Sequence, residues 1–198
     1  MKAQGYHLFY QGFHWGYIMI NRDFQHLNGL LIDFFSQKNI QQKLHIINEH
    51  EITGWEIWLQ IEFANMLVNT EHSFWREQIL EFDYRQNKEK YYFRPDFLLR
   101  KKGWAQERYM AIEFKQNLNP TMCVKNMATD LKKVGQMRKS ELDLRSVWAV
   151  GITKIIEEEN LRSLAEYYLD GKYYQTKDFN KHIQCQPIGK TPYCYIIM

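Results

Sequence analysis

The chain has 198 residues, of which 45% are apolar and 25% charged. This balance fits one domain with a full core, with or without an extension, and excludes fibrous and disordered chains. No run of about 18 apolar residues is present, so no membrane span is expected. Three cysteines (Cys123, Cys185, Cys194) are too few and too scattered for a disulfide framework. The first residues lack the apolar core of a signal peptide. A reducing, cytoplasmic location is the expectation.

Residues 1–47 are aromatic-rich. Within them, residues 23–37 read as a helix, because Phe24, Leu27, Leu31, Phe34 and Phe35 recur at three- and four-residue steps. A stronger helix runs to Val68 from near Gly54, where Thr53 and Glu56 have capping-box spacing. The period then changes. Residues 78–84 alternate apolar and polar, residues 90–99 form a second strand interrupted by Pro95, and residues 108–114 form a third. The polar stretch 84–90 reads as a hairpin turn, and 100–107 as another. Residues 120–139 predict a helix with Cys123, Met127 and Leu131 on one side and Lys125, Lys132 and Lys133 on the other. Residues 146–152 predict a buried strand. Residues 157–169 predict a helix with acids in its first turn, as the helix dipole favours. The tail is expected to hold short strands, 193–197 among them. Three hairpin-linked strands followed by a crossover helix and a fourth strand define an α/β fold with a mixed sheet.

Charge is unevenly spread although the net is only +3. Residues 1–84 hold 5 Lys/Arg against 10 Asp/Glu, whereas residues 85–139 hold 14 against 5. A basic middle third suits a polyanionic partner. A lysine-rich solvated surface reads equally well from charge alone.

Within this basic region, two predicted strands carry acids where apolar residues belong. Asp96 follows Pro95 on the second strand, and Glu113 and Lys115 flank Phe114 on the third. Residues two apart on a strand share a face, so Glu113 and Lys115 point the same way. If the strands pair, Asp96 meets Glu113. Buried charges are costly unless paired or metal-bound, and two carboxylates with a single lysine make a hard-cation site for Mg²⁺ or Mn²⁺. The competing reading is a structural salt bridge of Lys115 with one of the acids.

Pro95-Asp96 followed by Glu113-Phe114-Lys115 and Gln116, on consecutive strands after a helix, resembles the PD-(D/E)XK nuclease superfamily. The resemblance spans about residues 50 to 153. It implies a restriction-endonuclease-like αβββαβ core over residues 48–153, with an N-terminal extension (1–47) and a C-terminal helix and short strands (154–198) packed on it. It implies a metal-dependent DNA endonuclease that hydrolyses phosphodiester bonds. Asp96, Glu113 and the main-chain oxygen of Phe114 would hold Mg²⁺ or Mn²⁺. Lys115 would orient or help deprotonate the attacking water. The family usually adds an acid from the first core helix, and here Glu56 and Glu62 both qualify. Glu56 is preferred for its flanks, GWEIWLQ, although it could instead be the capping partner of Thr53. Gln116 would touch substrate or the metal shell. Arg94, Arg100, Lys101, Lys102, Lys132 and Lys133 would contact nucleic acid, and Trp104 is the aromatic expected to join them. Such nucleases often pair to cut two strands, so a homodimer is compatible. A non-catalytic nucleic-acid-binding module with the same fold, and a nuclease toxin or mobile-element component, are the alternatives.

Overall fold

The structure, a computed structural model, describes residues 7–70, 72–84, 90–106, 108–135, 137–140, 143–169 and 181–198. Helices α1 (His7–Ser36), α2 (Lys38–Glu49) and α3 (Glu56–Val68) lead into strands β1 (His72–Arg76), β2 (Leu80–Tyr84), β3 (Lys90–Phe93), β4 (Phe97–Lys101) and β5 (Arg108–Gln116). Then follow α4 (Pro120–Gly135), β6 (Met137–Ser140), β7 (Asp143–Lys154), α5 (Glu158–Tyr168), β8 (Gln184–Pro187) and β9 (Tyr193–Ile197). A six-stranded mixed sheet has the order β1-β4-β5-β7-β9-β8, and a three-stranded sheet has the order β3-β2-β6. The fold is therefore α/β. Among the described residues, no helix is long and apolar enough to cross a membrane.

The central pair, β5 and β7, is parallel, and α4 supplies the crossover between them. Strands buried on both faces read as nearly continuous apolar runs, as Tyr109–Ile112 and Trp148–Ile152 do. Met110, Ile112 and Phe114 face one side, where they join Leu59, Phe63 and Leu67 of α3 and Phe24, Leu27, Leu31 and Phe34 of α1. Ala149 and Cys194 face the other side with Cys123, Val124 and Met127 of α4 and Leu161 of α5. Gly151 lets α4 lie this close. A Cβ there would come within 2.3 Å of the Met127 sulfur and 2.8 Å of the Cys123 sulfur.

The three-strand hairpin expected over 78–114 is corrected. Pro95 cannot donate to a ladder, so residues 90–99 do not form one strand. Phe93 ends β3 opposite Leu80, in the small sheet. Phe97 begins β4, opposite Arg76 on one side and Ile112 on the other. The third antiparallel strand of the large sheet is β1, which sequence reading missed. It is a five-residue edge strand with weak alternation. The helix expected to reach 139 stops at Gly135, and residues 137–140 form β6 beside β2. The turn expected over 84–90 lies, at 85–89, outside the described residues. Helix α1 begins sixteen residues before the expected position, and β9 falls where the tail strand was expected.

Candidate functional site

The C-terminal end of β5 gathers the charged side chains. Phe114 is fully buried, its ring 5.2 Å from Phe63 and 5.7 Å from Phe97. These three rings clamp β4 and β5 onto α3 and so fix the backbone that carries the acids. The β4–β5 register puts Phe97 opposite Ile112, which sets Asp96 beside Glu113. The Phe114 N–H donates to Asp96 Oδ2 at 2.6 Å. Phe114 thus enters the site as a donor to one acid.

Glu113 is 8% exposed. Burial, with Asp96 and Asp130 nearby, pushes its carboxyl up to about 8. Burial also raises Asp96, against the pull of the Phe114 N–H, Lys115 and a hydrogen bond from Glu113. Burial thus favours the protonated form of Glu113, which donates to Asp96. Lys115, two residues along the same face, lies 3.6 Å from Glu113 Oε2 and 2.9 Å from Asp130 Oδ2. Burial works against its charge, but Asp130 and Glu113 hold the ammonium above the usual lysine range.

Glu56 belongs to this cluster. Its Oε2 accepts from the Gln116 N–H at 2.8 Å, and burial raises its carboxyl while Lys115 lowers it. The capping-box reading is corrected. The N-cap of α3 is Trp55, with no side-chain cap bond, and Gly54 at φ +71° makes the turn into the helix. Glu62 lies elsewhere, bonded to Lys43 and accepting from Trp58 Nε1 at 3.1 Å. Lys43 holds its carboxyl below the ordinary range.

The basic residues divide. Arg94 is exposed, 3.7 Å from Glu77, two residues before Asp96. Lys133 reaches Asp130 at 3.1 Å, and Lys132 precedes it in the last turn of α4. Arg100, Lys101 and Lys102 were expected to flank the site. They stand instead at the far end of β4, about 13–20 Å along the chain at strand rise. Trp104, expected as a base contact, packs against the core under the Arg145 guanidinium, 4.2 Å from its ring.

Two residues escaped sequence reading. Asp130 lies three residues after Met127 and seven after Cys123, on the apolar stripe of α4, and an acid in that stripe was the available signal. Burial raises it, but Lys115 and Lys133 hold it below the ordinary range. Arg76, on the unread strand β1, donates to the buried Gln60 at 2.8 Å and helps lower Asp96.

Four carboxyls (Glu56, Asp96, Glu113, Asp130) thus meet one half-buried lysine, with Lys133 and Arg76 at the margins. Among the described residues, no three His, Cys, Asp or Glu side chains stand together in metal-holding geometry. The Asp96–Glu113 pair nonetheless fits a hard divalent cation in its chemistry. Its donors are all oxygen, and a cation would take the place of the Glu113 proton. Neither protein-family models, nor curated proteins, nor solved structures give a match to this chain.

Proposed function

We propose that the protein is a metal-dependent DNA endonuclease with a restriction-endonuclease-like core. The observation that carries this reading is the meeting of Asp96, just before β4, with Glu113 of the neighbouring β5, with Lys115 two residues beyond Glu113. The order α3, β1, β4, β5, α4, β7 supports it, since it is helix, three antiparallel strands, helix, strand. Asp96 and Glu113 would hold Mg²⁺ or Mn²⁺, with the Phe114 carbonyl as the backbone donor. When bound, the cation lowers the pKa of water and offsets phosphate charge. Lys115 places a permanent positive charge beside the acids, where it orients a water or a phosphate oxygen. Asp130 holds that ammonium in place. Glu56 accepts the Gln116 N–H and ties α3 to the end of β5, bringing a further acid to the site.

DNA is the proposed substrate, approached through Arg94, Lys132 and Lys133, in a cytoplasmic setting and with a homodimer as the form that cuts both strands. The test incubates purified protein with plasmid DNA, with and without Mg²⁺ or Mn²⁺. Cation-dependent nicking or linearisation, lost in Asp96→Asn, supports the reading, and intact plasmid under every condition rejects it. A non-catalytic DNA-binding module is favoured by one observation, the internal pairing of Lys115 with Asp130. That reading predicts retarded DNA migration, weakened by salt through counterion release, with no cleavage.

A further inference from the structure

At the opposite end of the sheet two imidazoles meet. His26 of α1 and His72 at the start of β1 lie with their Nε2 atoms 2.9 Å apart and their rings nearly parallel, centroids 4.9 Å apart. The neighbouring hydrogen bonds assign the tautomers. Thr70 Oγ1 donates its single proton to the Leu67 carbonyl at 2.7 Å. It must therefore accept from His72 Nδ1–H, also at 2.7 Å. In its neutral form His72 then carries a lone pair on Nε2, which accepts the His26 Nε2 proton. Burial, with His72 and Lys101 nearby, lowers His26 to about 4, so the His26 ring is uncharged at neutral pH.

We propose that His26 and His72 form a two-histidine site for a late first-row divalent metal, Zn²⁺, Ni²⁺ or Cu²⁺, which replaces the proton between their Nε2 atoms. Metal–imidazole bonds of about 2.0–2.1 Å, meeting at right to tetrahedral angles, separate the two nitrogens by about 2.9–3.4 Å. The rings already stand at the near end of that span. On binding, the His26 proton passes through solvent from Nε2 to Nδ1. Both rings stay neutral, each gives one lone pair, and no electron is exchanged. His72 keeps Nδ1–H bonded to Thr70, the outer partner that fixes a ligating imidazole. Both rings are half-buried, which leaves a solvent side for water to complete the coordination. Among the described residues, charged neighbours of His26 include Lys101, exposed and opposite His72 in the β1–β4 register, and Asp23, which is bonded to Arg145. Imidazole donors favour these metals over Mg²⁺, so this site and the carboxylate site select different ions. A bound metal would join α1 to β1.

The test titrates Zn²⁺ into the full chain with Mg²⁺ in excess, following heat release and Tm. Binding should raise Tm by a few degrees once Zn²⁺ exceeds its Kd about 100-fold. Cu²⁺ should quench Trp104, whose ring lies 5.9 Å from His26, and Trp104→Phe should remove that share of the quenching. His26→Gln and His72→Gln should each weaken binding at least about tenfold, and Thr70→Ala about 10- to 100-fold. His45→Gln with His50→Gln should leave it unchanged. Metal-free melts of each variant establish that it is folded, and Thr70→Ala keeps both rings if a histidine variant is not. No measurable Zn²⁺ binding, or binding of parental affinity in folded His26→Gln and His72→Gln, overturns the proposal.

Discussion

The two ends of the large sheet bury charge in opposite ways. At the start of β7, Asp23 is fully buried and its partners match it. Arg145 donates to it through Nη2 at 2.8 Å and through Nε at 3.2 Å, and Ser146 Oγ donates at 2.9 Å. Trp104 covers the guanidinium, and Trp148 Nε1 donates to Ser146 at 2.9 Å. One acid meets one base, and the remaining lone pairs are filled. At the end of β5, four carboxyls meet around one half-buried lysine, and burial with Asp96 and Asp130 nearby pushes Glu113 up to about 8. A matched buried pair fastens α1 to β7. An unmatched cluster stores demand for positive charge, which is the electrostatic form of a binding site.

The largest effects are expected at the acids. Asp96→Asn, Glu113→Gln and Lys115→Met should each reduce phosphodiester cleavage at least about 10²-fold, the scale of losing one transition-state stabiliser. Melts should show Glu113→Gln as stable as the parent or more so at pH 8, since it removes a buried carboxyl with too few partners. At the matched end the effect moves to folding. Arg145→Met leaves Asp23 buried without its cation and should cost about 3–5 kcal/mol in denaturant titrations. Adding Asp23→Leu to that variant should recover much of the loss. Cleavage per folded molecule should stay parental in the double variant.

A smaller effect separates the ends by pH. Glu113 has a folded pKa raised above its unfolded value. Its contribution to stability is therefore full below about pH 4.5 and is lost as pH rises through about 8. Asp96 and Glu56 shift in the same direction, while Asp130 shifts in the opposite one. Without divalent cations, Tm should fall from pH 5 to pH 9. Glu113→Gln should flatten that slope. Mg²⁺ or Mn²⁺ should flatten it too, with stabilisation growing as pH rises. A parental slope in Glu113→Gln would assign the dependence to other groups.

The smallest effect distinguishes the two helix acids. Glu56→Gln should raise the Mg²⁺ needed for half-maximal cleavage. Glu62→Gln loses a partly exposed pair with Lys43, worth about 1 kcal/mol or less, and should cleave as the parent does. The opposite pattern would move the helix acid to Glu62.

Local periodicity made much of the architecture legible. The stripe Leu59, Phe63, Leu67 marked α3, and the apolar run 146–152 marked the centre of β7. The two-residue alternation of β5 put Glu113 and Lys115 on one face before any partner strand was known. Pro95 marks an interruption in the sequence, but that it sends the chain from one sheet to the other depends on what the two halves pair with. Short β1 carried too little alternation to announce itself.

Asp96, Glu113 and Lys115 were legible because Glu113 and Lys115 alternate on β5 and Asp96 immediately precedes its neighbour β4, all close in sequence. Asp130, Arg76 and the Gln116 bond of Glu56 were not, because each is set by packing between elements far apart in the chain. Glu56 and Glu62 occupy equivalent-looking positions on one amphipathic helix. Only the docking of α3 across β5 turns one toward the strand acids and leaves the other with Lys43. The same reason hides His26 and His72, 46 residues apart, which meet only because α1 lies against the edge strand. Which faces would be buried follows from periodicity, a property of each segment alone. Which charges meet on those faces was decided by tertiary structure, since that depends on how the segments dock.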